Sequence, residues 1–373
     1  MVREKTNTPQ PRPGVLKISP YAQGASAVPG VANPIKLSSN ESSFGPSPAA
    51  LEAYREAAAT LHRYPDGAQT ALREAIAEVF DLSAANIVCG NGSDELIQLV
   101  TRAYVGDGDE VLMSENCFLM CRIHALAQGA DVVVAPEKED RVDVDALLAR
   151  VSEKTRLLPL SNPNNPTGTY ISGDEVRRLH KGLPGNVVLL LDSAYAEFVM
   201  AADYDAGAGL VQEYENVVMT RTFSKIYGLS ALRIGWATLP DAMLDAVHRI
   251  RTPFNANGPA MAAAAAAVRD TAYTDMIRQK NERSLDTISK RLSALGLHVV
   301  PSVANFYLIR FPDDCAITAI EADRQLRESG IIPRPVGGDN DAELRITVGS
   351  DEENEAVLCA FESFMKPFVS KTA

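Results

Sequence analysis

Residues 186–195 read Asn-Val-Val-Leu-Leu-Leu-Asp-Ser-Ala-Tyr, and this stretch decides the fold class. The run from Val187 to Leu191 is apolar without alternation, as is typical of a strand that helices cover on both faces of a mostly parallel sheet. Asp192 then places a carboxylate at the C-terminal end of the strand, where open α/β sheets bind their ligands. Tyr195 follows three residues later. The stretch therefore predicts a central strand that leads into a ligand site, although Asp192 by itself could equally cap a helix.

Short runs of the same kind flank this strand and alternate with helical patterns from about residue 86 to 239. Such alternation indicates βα units around a mostly parallel sheet with helices on both faces, which makes the chain an α/β protein. The predicted strands are 86–89, 110–113, 131–134, 156–160, 187–191, 217–219 and 233–238. The predicted helices are 48–62, 69–80, 94–104, 118–128, 143–152, 172–181 and 240–251.

The C-terminal third has a different pattern. Residues 259–295 are rich in alanine and then charged with a helical period, which predicts one long helix that bridges two domains. Beyond Gly296, a smaller α+β domain is predicted, with strands at 298–300, 305–310 and 343–348 and helices at 316–329 and 352–367. The polar, proline-rich residues 1–13 predict a mobile arm. We expect an N-terminal arm and small-domain contribution (1–47), a large cofactor-binding domain (48–257) and a small C-terminal domain that includes the bridging helix (258–373).

Composition restricts the classes of function. The chain has 373 residues, of which 46% are hydrophobic and 23% charged, as in an ordinary two-domain globular protein. Its net charge of -12 disfavours nucleic acid and anionic membranes as partners, because both attract clustered Lys and Arg. The apolar run from Met261 to Val268 is far shorter than the roughly 20 residues of a membrane span, and no secretory signal is visible. Small-molecule partners therefore fit best.

The five cysteines are an odd number scattered along the chain, which favours reduced thiols in the cytoplasm. Cys117, Cys121 and His124 have a helical spacing that could gather metal ligands. Because no fourth ligand lies nearby in the sequence, packing is the stronger interpretation and we expect no metal.

Lys225 is the most informative position for the chemistry. It ends the run Arg221-Thr-Phe-Ser-Lys225 on a loop flanked by hydroxyl groups. A lysine amine forms a Schiff base with an aldehyde, and pyridoxal phosphate is the aldehyde that a nearby acid, phenol, hydroxyl and arginine would all serve. Asp192 can pair with a protonated pyridine nitrogen, and Tyr195 can donate its phenol to the ring oxygen. Alone, Lys225 would be a solvated charge, but the ordered set favours the cofactor.

A second segment fits the phosphate of such a cofactor. Residues 89–95 read Cys-Gly-Asn-Gly-Ser-Asp-Glu, follow a predicted strand and open a helix, whose first amides suit an anion. Ser93 or Asp94 could also serve as an ordinary helix cap. Hydroxyl groups and a guanidinium are expected to complete the phosphate site, from Thr222, Ser224 and Arg233.

Two more residues have both a functional and a structural interpretation. Asn165 lies in the turn 161–168, where two prolines fix the backbone and hold the amide side chains in place. Phe118 follows the predicted strand 110–113, where its ring could stack on a pyridine ring. A purely structural turn and ordinary core packing are the respective alternatives.

From about residue 15 to 368 the chain resembles the fold-type-I pyridoxal-phosphate aminotransferases and, within them, the histidinol-phosphate aminotransferase group. The stretches that carry this resemblance are 18–21 (Ile-Ser-Pro-Tyr), 37–41 (Leu-Ser-Ser-Asn-Glu), 45–48 (Gly-Pro-Ser-Pro), 63–66 (Arg-Tyr-Pro-Asp), 92–95 (Gly-Ser-Asp-Glu), 164–168 (Asn-Asn-Pro-Thr-Gly), 192–195 (Asp-Ser-Ala-Tyr), 221–225, 229–235, 334–335 (Arg-Pro) and 344–349 (Leu-Arg-Ile-Thr-Val-Gly). The ordered set is highly specific for the cofactor site.

The resemblance implies a role for each matching residue. Lys225 is implied as the Schiff-base lysine and Asp192 as the partner of the pyridinium, with Asn165 and Tyr195 on the ring oxygen. The implied phosphate ligands are Ser93 and Asp94, Thr222 or Ser224, Arg233, and a Tyr64 that reaches in from a neighbouring subunit. If Tyr64 crosses over in this way, the active unit is a homodimer with a shared site; a tyrosine that merely belongs to the turn at 65–67 is the alternative. The implied substrate residues are Tyr21, Asn40, Arg334 and Arg345.

The implied reaction exchanges an amino group between histidinol phosphate and 2-oxoglutarate, giving imidazole-acetol phosphate and glutamate in histidine biosynthesis. Residues 336–343 depart from the family, because they are acidic and one residue shorter than its usual segment, and the aromatic residue usual near Cys121 is missing. The 336–343 loop lies near the substrate end, and the missing aromatic residue could widen the pocket or alter its specificity. The alternatives are an aromatic amino-acid aminotransferase and a lyase of the threonine-phosphate decarboxylase type. A cofactor-binding transcription regulator is disfavoured, since neither a DNA-binding domain nor a basic surface is predicted.

Overall fold

A computed structural model describes residues 9–21, 23–312, 315, 317–337 and 343–369. Its helices are α1 (Pro13–Leu16), α2 (Pro48–Ala57), α3 (Thr70–Phe80), α4 (Ser93–Tyr104), α5 (Leu119–Gln128), α6 (Val144–Leu148), α7 (Gly173–Gly182), α8 (Ala208–Glu213), α9 (Asp241–Ile250), α10 (Gly258–Arg269), α11 (Thr271–Ala294), α12 (Ala319–Glu328) and α13 (Asp351–Val369). Its strands are β1 (Ile35–Lys36), β2 (Ile87–Gly90), β3 (Glu110–Ser114), β4 (Asp131–Ala135), β5 (Glu137–Lys138), β6 (Arg141–Val142), β7 (Thr155–Ser161), β8 (Val188–Asp192), β9 (Val217–Thr222), β10 (Gly235–Thr238), β11 (His298–Val300), β12 (Phe306–Arg310), β13 (Ile331–Ile332), β14 (Arg334–Val336) and β15 (Glu343–Thr347).

A seven-stranded sheet forms the centre, in the order β2-β10-β9-β8-β7-β3-β4. Strand β10 runs antiparallel to both its neighbours, and the remaining pairs are parallel. Side chains of β8 alternate between two cores: Leu189 and Leu191 join a core with α3, α7 and α10, while Val188 and Leu190 join a core with α4, α5 and α9. Burial on both faces is the reason that the strand is apolar without interruption. The predicted α/β fold with a mostly parallel sheet is confirmed.

The C-terminal part builds a second, smaller sheet. Strands β11-β12-β15-β14 pair antiparallel, and α11, α12 and α13 pack on them around a third core. Strand β1, near the N-terminus, pairs in parallel with β13, and Leu37 enters the same core. The N-terminal segment is therefore tied to the small sheet.

The single helix predicted over 259–295 is wrong, because the chain breaks at Asp270 into α10 and α11. The Asp270 carboxylate accepts a hydrogen bond from the Tyr273 amide at 3.2 Å and caps α11. An aspartate that bonds the backbone in this way favours a helix start over a helix interior. The bridge between the two sheets is α11 alone, with Ile277 in the first core and Ile288 in the third.

The mobile arm predicted over 1–13 falls mostly on residues 1–8, which lie outside the described residues. Pro13 begins α1, which contacts α5, since the Arg12 guanidinium donates to the Ala127 carbonyl. Among the described residues, no helix combines the length and the apolar character needed to cross a bilayer.

Candidate active site

A cavity of about 1010 Å³ opens at the C-terminal ends of β7, β8 and β9, next to the small sheet. The register places Ser161, Asp192 and Thr220 side by side on these three strands, so the first two are presented together at its floor. All of the sequence-predicted site residues except Tyr64 line this one cavity: Tyr21, Asn40, Ser93, Asp94, Phe118, Asn165, Asp192, Tyr195, Thr222, Ser224, Lys225, Arg233, Arg334 and Arg345.

The Lys225 amine lies within this cavity. Its Nζ donates to the Ser39 carbonyl at 3.2 Å and lies 5.7 Å from the centre of the Tyr195 ring. Burial, together with the positive charge of Arg345, lowers the pKa of Lys225 from 10.5 to about 8. A buried amine that is readily neutral is suited to act as a nucleophile and to exchange protons.

Asp192 is the buried acid of the site. The hydroxyl of Thr220, on the neighbouring strand, donates to its Oδ1 at 3.2 Å. Burial raises the pKa of Asp192 from 3.8 to about 6, and the hydrogen bond from Thr220 partly opposes this rise. A cation placed beside this carboxylate would stabilise its ionised form.

Tyr195 is held by contacts on two sides. Asn40 Nδ2 donates to the Tyr195 hydroxyl at 3.0 Å, and Phe306 packs edge-on against the ring with 5.1 Å between centroids. Asn40 is in turn fixed by the small sheet, because Thr347 Oγ1 accepts a hydrogen bond from the backbone amide of Asn40 at 2.9 Å. Burial raises the pKa of Tyr195 to about 12, so the phenol stays protonated and available as a donor.

The N-terminus of α4 forms one end of the cavity. Gly92 precedes the helix, and no side chain caps the first turn. The first amides therefore remain available to an anion, which the helix dipole also favours. Arg233 reaches over the same end, since its guanidinium donates to Ser224 Oγ at 3.4 Å and to the Ser230 carbonyl at 2.9 Å.

Gly92 is required by this arrangement. Its φ of +86° is one that side chains disfavour, and a Cβ at this position would lie 2.8 Å from Nη2 of Arg233. The glycine thus lets the guanidinium approach the helix end closely.

A second arginine, the half-buried Arg345 of the small sheet, also lines the cavity. Arg345 Nη1 donates to Asn165 Oδ1 at 2.6 Å, and Nη2 donates to the Ser38 carbonyl at 2.8 Å. Its Nε is buried without a hydrogen-bond partner. Arg334 lies directly opposite Arg345 in the register of the antiparallel strands β14 and β15, and it also lines the cavity. Two arginines here form a site suited to a carboxylate or a phosphate.

Phe118 lies between the cavity wall and the core beneath it. It ends the loop before α5, lines the cavity and packs against the second core. Cys117 also lines the cavity, whereas Cys121 is buried and does not. A hydrogen bond with Cys117 and burial both raise the pKa of Cys121. His124 pairs with Asp94 at 3.2 Å, and the described residues contain no metal-ligand cluster.

Tyr64 is the one predicted site residue that the chain does not bring to its own cavity. Its side chain is 83% exposed and stacks on Phe254, with 4.7 Å between ring centroids. An exposed aromatic pair is a surface that a second subunit can cover.

The unusual segment 336–343 falls mostly on residues 338–342, which lie outside the described residues. Val336 lines the cavity at one end of it. At the other end, Glu343 Oε1 accepts from Arg310 Nε at 2.5 Å. The negative charge of Glu343 is therefore compensated by Arg310 and not by the basic residues that line the cavity.

Sequence reasoning missed two contributors. Thr220 donates a hydrogen bond to Asp192. It could have been found from the sequence, because it lies two residues before Thr222 and therefore on the same face of the strand. Phe306 packs beneath both Tyr195 and Arg345, the latter with its guanidinium carbon 5.4 Å from the ring centre. Its apolar strand gave no sign of which residues it would contact.

Comparison with known proteins places these residues in a family. Residues 32–361 match the family described as "Aminotransferase class I and II". The histidinol-phosphate aminotransferase of Paramagnetospirillum magneticum is 50% identical over 358 residues, which cover 96% of this chain and 99% of that protein. That of Maricaulis maris is also 50% identical, with the same coverage.

A solved structure agrees with the sequence comparison. The histidinol-phosphate aminotransferase of Sinorhizobium meliloti, in complex with pyridoxal-5'-phosphate, has a TM-score of 0.82 and 31% identity, and covers 89% of this chain and 91% of that one. The chain therefore belongs to the class I and II aminotransferases, and within them to the histidinol-phosphate aminotransferase group.

Proposed function

We propose that this chain is a pyridoxal-phosphate-dependent aminotransferase that converts histidinol phosphate and 2-oxoglutarate to imidazole-acetol phosphate and glutamate. The observation that carries the proposal is one cavity that holds the Lys225 amine between an uncapped helix N-terminus and the half-buried Arg345. The two histidinol-phosphate aminotransferases that are 50% identical to this chain support the choice of substrate.

The donor set fits the cofactor. The uncapped end of α4, with Arg233 beside it, is suited to its phosphate. Asp192 is suited to a protonated pyridine nitrogen, because a cation there would offset the burial that disfavours its charge. Tyr195 and Asn165 would serve the ring oxygen, and Phe118 the ring face. When bound, pyridoxal phosphate supplies the aldehyde that takes up the amino group and the ring that withdraws electrons from the substrate Cα.

The chain's own groups would perform the binding and the proton transfers. Lys225 would hold the cofactor covalently and, once released by the substrate amine, would move a proton from the substrate Cα. The lowered pKa of this amine places its neutral form within reach near pH 8. The Thr220 hydroxyl would keep Asp192 oriented.

The charges of the cavity suit anionic substrates. Among the residues that the structure describes, four basic side chains line it (Lys225, Arg233, Arg334 and Arg345) against three acidic ones (Glu41, Asp94 and Asp192). The Glu41 carboxylate is paired with Lys36 at 2.7 Å. Arg345 and Arg334 would receive the carboxylate of glutamate in one half reaction and the phosphate of histidinol phosphate in the other. Tyr21 and Asn40 would lie beside the substrate.

A substrate panel followed by the visible absorbance of the cofactor tests this function. Histidinol phosphate and glutamate are each expected to convert the cofactor to its amine form, and 2-oxoglutarate to reverse the change. Conversion by phenylalanine but not by histidinol phosphate would replace the proposal with an aromatic aminotransferase. Release of carbon dioxide without any 2-oxo acid would replace it with a lyase.

A further inference from the structure

The hairpin β5–β6, residues 137–142, lies outside the cavity but contacts two segments that line it. Glu137 Oε2 accepts from Asn116 Nδ2 at 2.9 Å, and Oε1 accepts from the Asn116 amide at 3.2 Å. The same Oε1 accepts from Asn164 Nδ2 at 3.0 Å. Glu137 does not line the cavity itself. One carboxylate thus joins the segment before Phe118 to the turn that carries Asn165.

A series of hydrogen bonds, joined through the residue Asn165 itself, leads from Glu137 to Arg345. With Nδ2 of the buried Asn164 held by Glu137, its Oδ1 accepts from the Asn165 amide at 3.0 Å. Asn165 Oδ1 in turn accepts from Arg345 Nη1 at 2.6 Å. Because both ends of the Asn164 amide are used, its rotation would break two bonds. The path has fixed donors and acceptors at each step.

The far end of the hairpin is anchored to the small sheet and to the segment that follows the Asn165 turn. Asp140 forms an ion pair with Arg310 of β12, and Thr169 Oγ1, just beyond the Asn165 turn, donates to the Asp140 carbonyl at 2.5 Å. Glu139 and Asp140 have φ values of 51° and 65°, which non-glycine residues seldom adopt. Contacts at the tip therefore hold a tight turn in place.

We propose that Glu137 is a positioning residue for substrate binding, which acts through Asn164 and Asn165 to aim Arg345 into the cavity and through Asn116 to fix the wall at Phe118. The role assigned to Arg345 rests on the proposed function. Glu137 contributes no atom to the reaction. It orders the two walls between which the substrate carboxylate enters.

Variants of the loaded enzyme separate this role from a general loss of structure. Glu137→Ala removes all three bonds, and Glu137→Gln keeps one acceptor oxygen as a milder change. Glu139→Gln removes an equal charge from the same hairpin at an exposed side chain and is the matched control. Asn164→Ala cuts only the path to Arg345.

We expect Glu137→Ala to raise the KM for glutamate by about tenfold with kcat changed by less than about threefold, since binding rather than chemistry is affected. Glu137→Gln should give a smaller rise and Glu139→Gln none. Combining Glu137→Ala with Asn164→Ala should add little to Glu137→Ala alone, because Glu137→Ala has already cut the path that Asn164→Ala breaks. An equal effect on KM from Glu137→Ala and Glu139→Gln, or full additivity with Asn164→Ala, would overturn the proposal.

Hydrogen exchange gives a readout that does not depend on turnover. The Asn165 amide should exchange about tenfold faster in Glu137→Ala than in Glu139→Gln, because its acceptor on Asn164 is no longer fixed. Unchanged exchange would contradict the proposal even if activity fell. A wild-type protein that fails to react with glutamate would contradict the proposed function instead, and the exchange comparison would still decide the role of Glu137.

Discussion

Lys225 and Asp192 are buried groups whose charged forms are disfavoured by the surrounding protein. In each, burial is the largest cause of the shifted pKa, and the opposite charge of the other opposes it only partly. Such paired perturbations are typical of sites that bind and convert a charged ligand. These two residues therefore carry the chemistry, and substitutions of Lys225 and Asp192 should separate effects on activity from effects on stability.

Lys225→Ala is expected to retain the fold and to lose amino transfer by at least about 10³-fold, because the covalent attachment and the proton carrier disappear together. The cofactor should still bind without the absorbance of the lysine adduct. Lys181→Ala, at an exposed lysine on α7, is the control. Turnover near that of the wild type would remove Lys225 from its assigned role.

Asp192→Asn is expected to abolish activity and yet to stabilise the cofactor-free protein at pH 7.5. The folded pKa of about 6 lies above the ordinary 3.8, so the wild type bears a penalty for ionising this group in the fold at neutral pH. Relative to the wild type, the variant should gain up to about 3 kcal/mol at pH 7.5. The gain should shrink as pH falls through 6 toward 4, where Asp192 is protonated in the fold and increasingly in the unfolded chain. Urea unfolding at pH 7.5 and 4.5 measures both values, and a gain that grows on acidification would contradict the pKa shift.

At the scale of elements, the site depends on where strands and helices end. Three neighbouring strands deliver Ser161, Asp192 and Thr220 in register, and α4 begins with an uncapped turn at the other side of the cavity. An element end without its own cap is costly unless a ligand or water satisfies it. An anion bound at this end would therefore accept the hydrogen bonds that the first backbone amides of α4 do not make to a capping side chain.

Gly92→Ala and Gly108→Ala form a matched pair that tests this helix end. Both glycines have φ near +85°, so each alanine should cost about 1 kcal/mol in backbone strain. Only at Gly92 does the new Cβ meet Arg233, while at Gly108 nothing lies within 4 Å. We expect Gly92→Ala alone to weaken cofactor binding, by about tenfold in an absorbance titration, through loss of a charge-assisted contact. Equal affinities for the two variants would show that Arg233 does not act at this end.

At the scale of the whole molecule, the homodimer remains a proposal that rests on the exposed Tyr64. Mixing Lys225→Ala with Tyr64→Ala tests it, because a hybrid dimer would hold one site with both native residues if Tyr64 crosses between subunits. Random exchange of subunits should then restore about a quarter of the wild-type sites. Mixed subunits that exchange without any gain in activity would place Tyr64 outside the active site.

The sequence by itself determined the α/β class and the family, because the continuous apolar strands and the ordered motifs are local signals. Both predictions are confirmed. The positions of most strands followed from the same signals, as with β8 at Val188–Asp192 against the predicted 187–191. The domain boundaries at 47 and 257 stay predictions, and the roles of the site residues are proposals.

Only the tertiary structure decided which residues meet. The break at Asp270 depends on a capping bond that a helical period does not reveal. The contacts of Phe306 and Glu137 join segments far apart in the chain, and a sequence carries no direct record of such distances. Arg345 could be recognised by its motif, but its orientation is set by Asn165 and by the backbone carbonyl of Ser38. The sequence specifies which reactive side chains are present and in which order, whereas their distances and orientations in the site are set by packing between elements that lie far apart in the chain.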